Sequence, residues 1–231
     1  MNIKINDHII GLDHPTYFIA DIAANHDGDL ERAKNLIRLA KEAGADAAKF
    51  QHFIAPKIVS DYGFTHMDSK VSHQATWKKS VTEVYAAASV SQSWTPILKE
   101  ECDKVGIDFF TSPYDYDSIE HVNPYIPAFK AGSGEIDWIE ALEHMASKGK
   151  PMIIACGAAD IADVQRAVQA ILKINKQLVL MQCNTNYTAS PDNYDHLHLN
   201  VLKTFAAMYP DVILGLSDHT HSVAPVLGAV T

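Results

Sequence analysis

Two lysines stand where a flexible surface lysine is not normally found, at the ends of β-rich runs: Lys49 in AAKFQHF and Lys130 in AFKAGSGE. An ammonium group is a compact point charge, and two of them converging on one mouth would bind a phosphate or a carboxylate. Taken singly, each could equally be a solvated loop residue or half of an ion pair. Ser133, in the turn Gly132-Ser133-Gly134, adds a hydroxyl and exposed backbone N–H groups of the kind that wrap phosphate oxygens. His219, in SDHT, sits between Asp218 and the hydroxyls of Ser217 and Thr220, a setting that suits a divalent metal completed by carboxylate or water. Asp21 and Glu135 are the carboxylates expected at the same mouth, with Gln51 beside Lys49. They would bind hydroxyls or move a proton; the alternative is helix capping or a salt bridge to the lysines. Tyr187 would stack on a substrate or cover the rim. Cys156 and Cys183 each follow an apolar run and read as small buried hydrophobes, with no histidine at a spacing that marks a nucleophile.

The elements that must position these groups alternate. Seven β-rich runs (YFIADIAANH, AAKFQHF, IDFFTSPY, AFKAGSGE, PMIIACG, LVLMQCNTNY and VILGLSDHT) are separated by helical segments. Asp29 caps a helix with Leu30, Ala33, Ile37 and Ala40 on one face and Gly44 as its stop. Thr95-Pro96 opens another that Gly106 ends, Asp137 with Glu140 resembles a capping box, and Asp160 precedes Ile161, Val164, Val168 and Ile171. Strand-helix alternation means βαβ units and parallel sheets. A doubly wound sheet would show a Gly-rich loop after its first strand, and Ala20 to Asn25 has none. Polar residues at the C-terminal ends of many strands, among them Thr111 with Ser112 and Thr185 with Tyr187, predict an α/β chain of the (β/α)8 TIM-barrel class instead. Such a barrel has eight strands, so one strand is expected to be lacking after the seventh, within a single domain over 1–231. The long stretch from about Ile54 to Ser93, with Trp77, Lys78 and Lys79, is expected to form a lid or rim insertion.

Composition bounds the partners. With 231 residues, 47% hydrophobic, 20% charged and a formal charge of −9, the chain can bury a core and is a poor match for nucleic-acid backbones or acidic membranes. The three cysteines show no paired spacing, and no apolar stretch is long enough for a membrane span or an export signal, so a cytoplasmic location is expected. Histidines 66, 73, 196, 198 and 221 read as surface or rim residues.

The run FIADIAANHDGDLERAKNLIRLAKEAGADAAKFQ, followed in order by FFTSPYD, FKAGSGEI, QCNTNY and GLSDHT, resembles the N-acetylneuraminate (sialic acid) synthase family. The resemblance implies a (β/α)8 barrel followed by a small antifreeze-like domain. It also implies condensation of phosphoenolpyruvate with N-acetylmannosamine or a relative, giving a nine-carbon 3-deoxy-2-ulosonic acid, with Mn2+ or Mg2+ as cofactor. Lys49, Lys130, Ser133 and Ser217, with Ser112 and Thr185 beside them, would hold phosphoenolpyruvate. Asp21, Gln51, Glu135 and Tyr187 would contact the sugar, and His219 would be a metal ligand. A homodimer is implied for the full-length protein. The second metal-ligand histidine and an arginine of the C-terminal domain are not among these residues, so this length alone is expected to be impaired.

Departures from the family pattern point to an altered sugar, legionaminic-like or another modified nonulosonate: Asp21 where glutamate is usual, Ala155 where serine is, Gln182 where histidine is, and Asn186-Tyr187-Thr188 where proline follows tyrosine. The alternatives are an octulosonate-phosphate type of synthase, a truncated ligand-binding barrel without catalysis, and, more weakly, a Schiff-base aldolase using Lys49 or Lys130.

Overall fold

A computed structural model of the chain describes residues 1–66, 77–188 and 190–230. It begins with a hairpin that is not among the seven expected runs, β1 (Ile3–Ile5) and β2 (His8–Ile10). Ile3 and Ile5 point into the core and Lys4 outward, and Asn6 makes the turn in the left-handed region at φ 48°. Three residues are too short a run for an alternation to stand out.

The seven expected strands are present and their pairing is parallel. In one compact unit, Phe18–Ile126, the order is β3 (Ile19–Ala23), α1 (Leu30–Glu42), β4 (Ala47–His52), α2 (Ala55–Ile58), α3 (Asp61–His66), α4 (Val81–Ala88), α5 (Thr95–Val105), β5 (Asp108–Pro113) and α6 (Tyr116–Val122). Its sheet order is β3-β4-β5. The other unit joins Met1–Tyr17 to Pro127–Thr231 and holds β6 (Phe129–Lys130), α7 (Ile139–Ser147), β7 (Met152–Ala155), α8 (Ile161–Ile174), β8 (Leu178–Cys183), α9 (Val201–Met208), β9 (Ile213–Ser217) and α10 (Ala224–Val230). Its sheet order is β6-β7-β8-β9. The chain is thus an α/β protein built on parallel sheets.

Helix ends follow the local chemistry. Asp29 accepts from the backbone N–H of Glu31 and Arg32, Gly106 closes α5 at φ 73°, and Asp160 with Asp163 forms a capping box on α8. Helix α1 buries Ala33, Ile37 and Ala40 and is joined to α5 by Arg38 and Glu101 at 2.6 Å. The expected cap at Asp137 is absent. Helix α7 starts at Ile139 with Trp138 in the cap position and no side-chain cap bond, because Ser133–Glu135 form a 3-10 turn and the Trp138 N–H donates to Glu135. The stretch after β4 folds into the short helices α2, α3 and α4; its residues 67–76, which include His73, lie outside the described residues.

The strands show why their tips can carry a site. In β4 the residues Ala47, Ala48 and Phe50 are fully buried, and Asp21 pairs in register with Lys49 and Gln51 with Ser112. The register slips between Asp21 and Ala23, and Ala23 sits at φ 47°, a left-handed conformation costly for a residue with a Cβ. Replacing Ala23 by glycine removes that strain at some cost in unfolded-chain entropy, so Ala23→Gly should stabilise the chain by about 0.5–1 kcal/mol in urea unfolding. A loss of stability would mean that the Ala23 methyl group is held by packing worth more than the strain.

Candidate functional site

In the Phe18–Ile126 unit the alternation of β4 sends Lys49 and Gln51 to one face and Phe50 and His52 to the other. Lys49 is only 7% exposed, and burying an ammonium group requires a partner. Asp21 supplies it from the neighbouring strand, its Oδ1 2.8 Å from Lys49 Nζ, with the aspartate much the more exposed of the two. The ion-pair alternative for these two residues is therefore the arrangement seen. Gln51 is half-buried and its Nε2 donates to the Tyr114 hydroxyl at 3.2 Å, and Ser112 is buried beside it.

Behind this face lies a network that sequence reasoning missed. His52 is buried with Nδ1 2.7 Å from the Thr111 hydroxyl and Nε2 2.8 Å from that of Thr95, which in turn lies 2.8 Å from His121 Nε2. Burial, reinforced by the neighbouring His121, pushes the His52 pKa down to about 3, so its ring is neutral at physiological pH. Asp115 caps α6 through Ser118 and also accepts from the Ile54 N–H, tying the segment after β4 to the helix after β5. His26 is buried too, accepting from the Gly28 N–H and lying edge-on to Trp94.

In the other unit Lys130 ends the two-residue strand β6, is 6% exposed, and donates to the carbonyl of Ala131 at 2.7 Å. Glu135 follows in the 3-10 turn; burial raises its pKa and the charge of Lys130 only partly offsets this. Ser133 is buried and accepts a 2.7 Å hydrogen bond from Thr185, which lies beyond the end of β8. Gly157, just past β7, makes that placement possible. A Cβ on it would lie 1.9 Å from Thr185 Oγ1 and 3.0 Å from the Cys183 carbonyl oxygen. Ala155, where the family pattern has serine, is fully buried. Gln182 donates to the Leu197 carbonyl and accepts from the Cys156 thiol, so its amide ties β8 to β7 and to the segment that follows.

His219 lies close to Tyr187, ring centroids 4.5 Å apart, and Tyr187 itself is 62% exposed. Cys183 is buried, as expected, and it has polar neighbours besides. Burial pushes its thiol up, but hydrogen bonds with His219, Thr185 and Ser217 outweigh that and leave its pKa below the ordinary value. Cys156, without such neighbours, is pushed up to about 11. The pairing of Cys183 with His219 is invisible in sequence because it is made by strand register, Cys183 opposite Ser217. Asp218 is taken up locally by the N–H and hydroxyl of Thr220. Among the described residues no group of three or more histidine, cysteine, aspartate or glutamate side chains could hold a metal ion. His219 therefore lacks the companions a metal centre needs within these residues.

His66, His196, His198 and His221 are exposed, as expected, and so are Lys78 and Lys79. A cavity of about 250 Å3 opens beside the ends of β7 and β8, lined by Gln182, Cys183, His196 and His198 among others, but not by Lys130, Ser133 or Glu135. No helix among the described residues is long and apolar enough to cross a membrane.

The chain is thus an α/β protein whose parallel strands carry two buried lysines and, near their ends, buried hydroxyls. Residues 36–231 match the NeuB family, and the chain belongs to that family. It is 33% identical over 217 residues to the N,N'-diacetyllegionaminic acid synthase of Legionella pneumophila, covering 88% of this chain and 57% of that protein. It is 31% identical over 224 residues to the human N-acetylneuraminate-9-phosphate synthase, covering 96% of this chain and 60% of that one. Among solved structures it resembles the N-acetylneuraminic acid (sialic acid) synthetase from Leptospira borgpetersenii in complex with citrate, with a TM-score of 0.83 and 26% identity over 99% of this chain and 74% of that one. The chain spans about 60% of the length of these curated relatives.

Two consequences can be measured. Gly157→Ala should push Thr185 off Ser133 and cost about 1–3 kcal/mol in chemical unfolding, the range for overpacking a close contact; an unchanged midpoint would mean that the two connections move apart freely. The folded-state pKa of Glu135 is raised, so the folded chain favours its neutral form and loses stability as pH rises through that pKa. Glu135→Gln should therefore raise Tm at pH 7–8, with the gain vanishing at pH 4, below the ordinary glutamate value. A gain of the same size at both pH values would show that the charge is not its source.

Proposed function

We propose that the protein to which this chain belongs is a nonulosonate synthase. It would condense phosphoenolpyruvate with an N-acetylated hexose, N-acetylmannosamine or a relative, to give a nine-carbon 3-deoxy-2-ulosonic acid and phosphate for surface glycan synthesis in the cytoplasm. The observation that carries this reading is the NeuB match running through every strand tip that bears a buried lysine or a clustered hydroxyl. The (β/α)8 barrel is the architecture we assign to it, supported by the parallel strands and by the likeness to the Leptospira synthetase.

In this reading, which the family resemblance supports residue by residue, Lys49, Ser112, Lys130, Ser133, Thr185 and Ser217 serve phosphoenolpyruvate. Asp21, Gln51, Glu135 and Tyr187 serve the open-chain sugar. The C3 carbon of phosphoenolpyruvate forms a bond to the aldehyde carbon, water adds to the resulting C2 cation, and the C2–O bond breaks with phosphate as the leaving group. The lysine ammonium groups stabilise negative charge on the departing phosphate, and the Ser133 hydroxyl, accepting from Thr185, keeps its own proton free to donate to a phosphate oxygen. Glu135, with its raised pKa, can deliver a proton to the aldehyde oxygen as it becomes a hydroxyl. A divalent metal, Mn2+ or Mg2+, is proposed as cofactor with His219 as one ligand; the described residues supply no ligand cluster around it.

The test is phosphate release by the full-length protein, with phosphoenolpyruvate and a panel of N-acetylated hexoses, free and phosphorylated. Release with at least one free sugar is expected. Lys49→Met and Lys130→Met should each lower kcat/KM by about 100-fold or more, the scale for removing one charge-stabilising donor. No release with any N-acetylated hexose would overturn the assignment, and release only with a phosphorylated five-carbon sugar, added to the panel as a control, would move it to the octulosonate-phosphate type.

A further inference from the structure

His52 has no role in the chemistry proposed above, yet it is 1% exposed and both its ring nitrogens are committed. It stands next to Gln51 in β4, with its side chain on the opposite face of the strand. Its Nδ1 partner, Thr111, stands next to Ser112 in β5 and is in register with Phe50, while Gln51 is in register with Ser112. Thr111 and Thr95 are themselves fully buried. The imidazole therefore bridges two adjacent strands one residue behind the pair of tips that face the proposed substrate. Its other nitrogen reaches Thr95, the first residue of α5, and through that hydroxyl His121 of α6. A buried network whose members are all satisfied has one geometry, and a neighbour carried on the same backbone inherits it.

We propose that His52 is a positioning residue for the β4–β5 tip: its bond to Thr111 sets where Gln51 and Ser112 stand beside Lys49, and its bond to Thr95 serves the packing of α5. The two links have separate jobs, and the ring is the piece they share. Its neutrality fits this task, since an imidazolium could not accept a hydrogen bond from either hydroxyl. The inference rests on the synthase reading only for the choice of phosphoenolpyruvate as the probe.

The two links can be cut one at a time. Asparagine places an amide nitrogen near the position of Nδ1, so His52→Asn keeps the Thr111 link and drops Thr95. Glutamine reaches the position of Nε2, so His52→Gln does the reverse. Calorimetric binding of phosphoenolpyruvate and thermal unfolding are measured on both, with Thr111→Val and Thr95→Val removing the same links from the partner side. The expected result is a crossed pattern. His52→Gln and Thr111→Val weaken phosphoenolpyruvate by about tenfold or more, well beyond what their fall in Tm, that of one lost buried hydrogen bond, accounts for. His52→Asn and Thr95→Val lower Tm by several degrees with Kd within about threefold. If affinity falls only in step with Tm in every variant, His52 is structural and the proposal is overturned. The measurements are made in the full-length protein, and if the unaltered full-length protein itself shows no heat with phosphoenolpyruvate, it is the synthase reading that fails. The positioning role is then decided by the Gln51 side-chain amide resonances, which must shift in His52→Gln and Thr111→Val and stay in place in His52→Asn; the opposite assignment refutes it.

Discussion

A lysine ammonium buried on a parallel strand, within β4 for Lys49 and at the end of β6 for Lys130, is the feature around which both units are arranged. Each unit contains one, Lys49 at 7% exposure and Lys130 at 6%, and a charge so far out of water is tolerated only with partners at hydrogen-bond distance. Lys49 finds its partner across the sheet in Asp21. Lys130 finds its own in the backbone of the next residue, with the Glu135 carboxyl acting through space. These are different solutions to one problem. The first neutralises the charge with a carboxylate. The second sets it against a backbone carbonyl oxygen, beside a carboxyl group that burial holds toward its neutral form.

Strand geometry carries those solutions. Because side chains alternate, one face of β4 can hold Lys49 and Gln51 while the other holds Phe50 against Phe109, ring centroids 6.0 Å apart, in the layer under the helices. Parallel register then decides which groups meet: Asp21 with Lys49, Gln51 with Ser112, Cys183 with Ser217. A one-residue slip would exchange the two faces and send the lysine into the apolar layer. The bulge at Ala23 comes directly after Asp21, so the slip that does occur falls beyond the pair it would have broken. The loops add fine placement, most sharply where Gly157 leaves space for Thr185 to reach Ser133.

What could be read from sequence follows from what is local. The caps at Asp29 and Asp160, the stop at Gly106 and the run-helix-run alternation all depend on neighbours within a turn, and they lie where the residue types put them. Asp137 misled because a cap needs the preceding backbone to be extended, and here it continues from a 3-10 turn that the Gly-Ser-Gly composition does not announce. The site was legible as a set of residue types at strand ends. Their partners were not. Cys183 meets His219, and His52 meets Thr95 and Thr111, through separations of 36 to 59 residues, and only the register of strands and the placing of helices bring them together.

The Asp21–Lys49 pair bears on how an anion could use this tip at all. Paired with a carboxylate, an ammonium group attracts a second anion far less than a bare one does, so the pair as it stands is a closed form of the site. The two partners are unequal: the side chain of Lys49 is 9% exposed and that of Asp21 is 42% exposed. Any exchange must therefore proceed by movement of the aspartate. A bound phosphate or carboxylate that takes over the ammonium proton now held by Asp21 would release the aspartate toward solvent, where sugar hydroxyls could hold it. A glutamate here would reach one methylene farther, and could hold such hydroxyls without leaving the strand tip. With the shorter side chain, contact with the sugar and contact with Lys49 become alternatives. In the proposed reaction this couples the arrival of the anionic substrate at Lys49 to the freeing of the carboxylate that receives the second one.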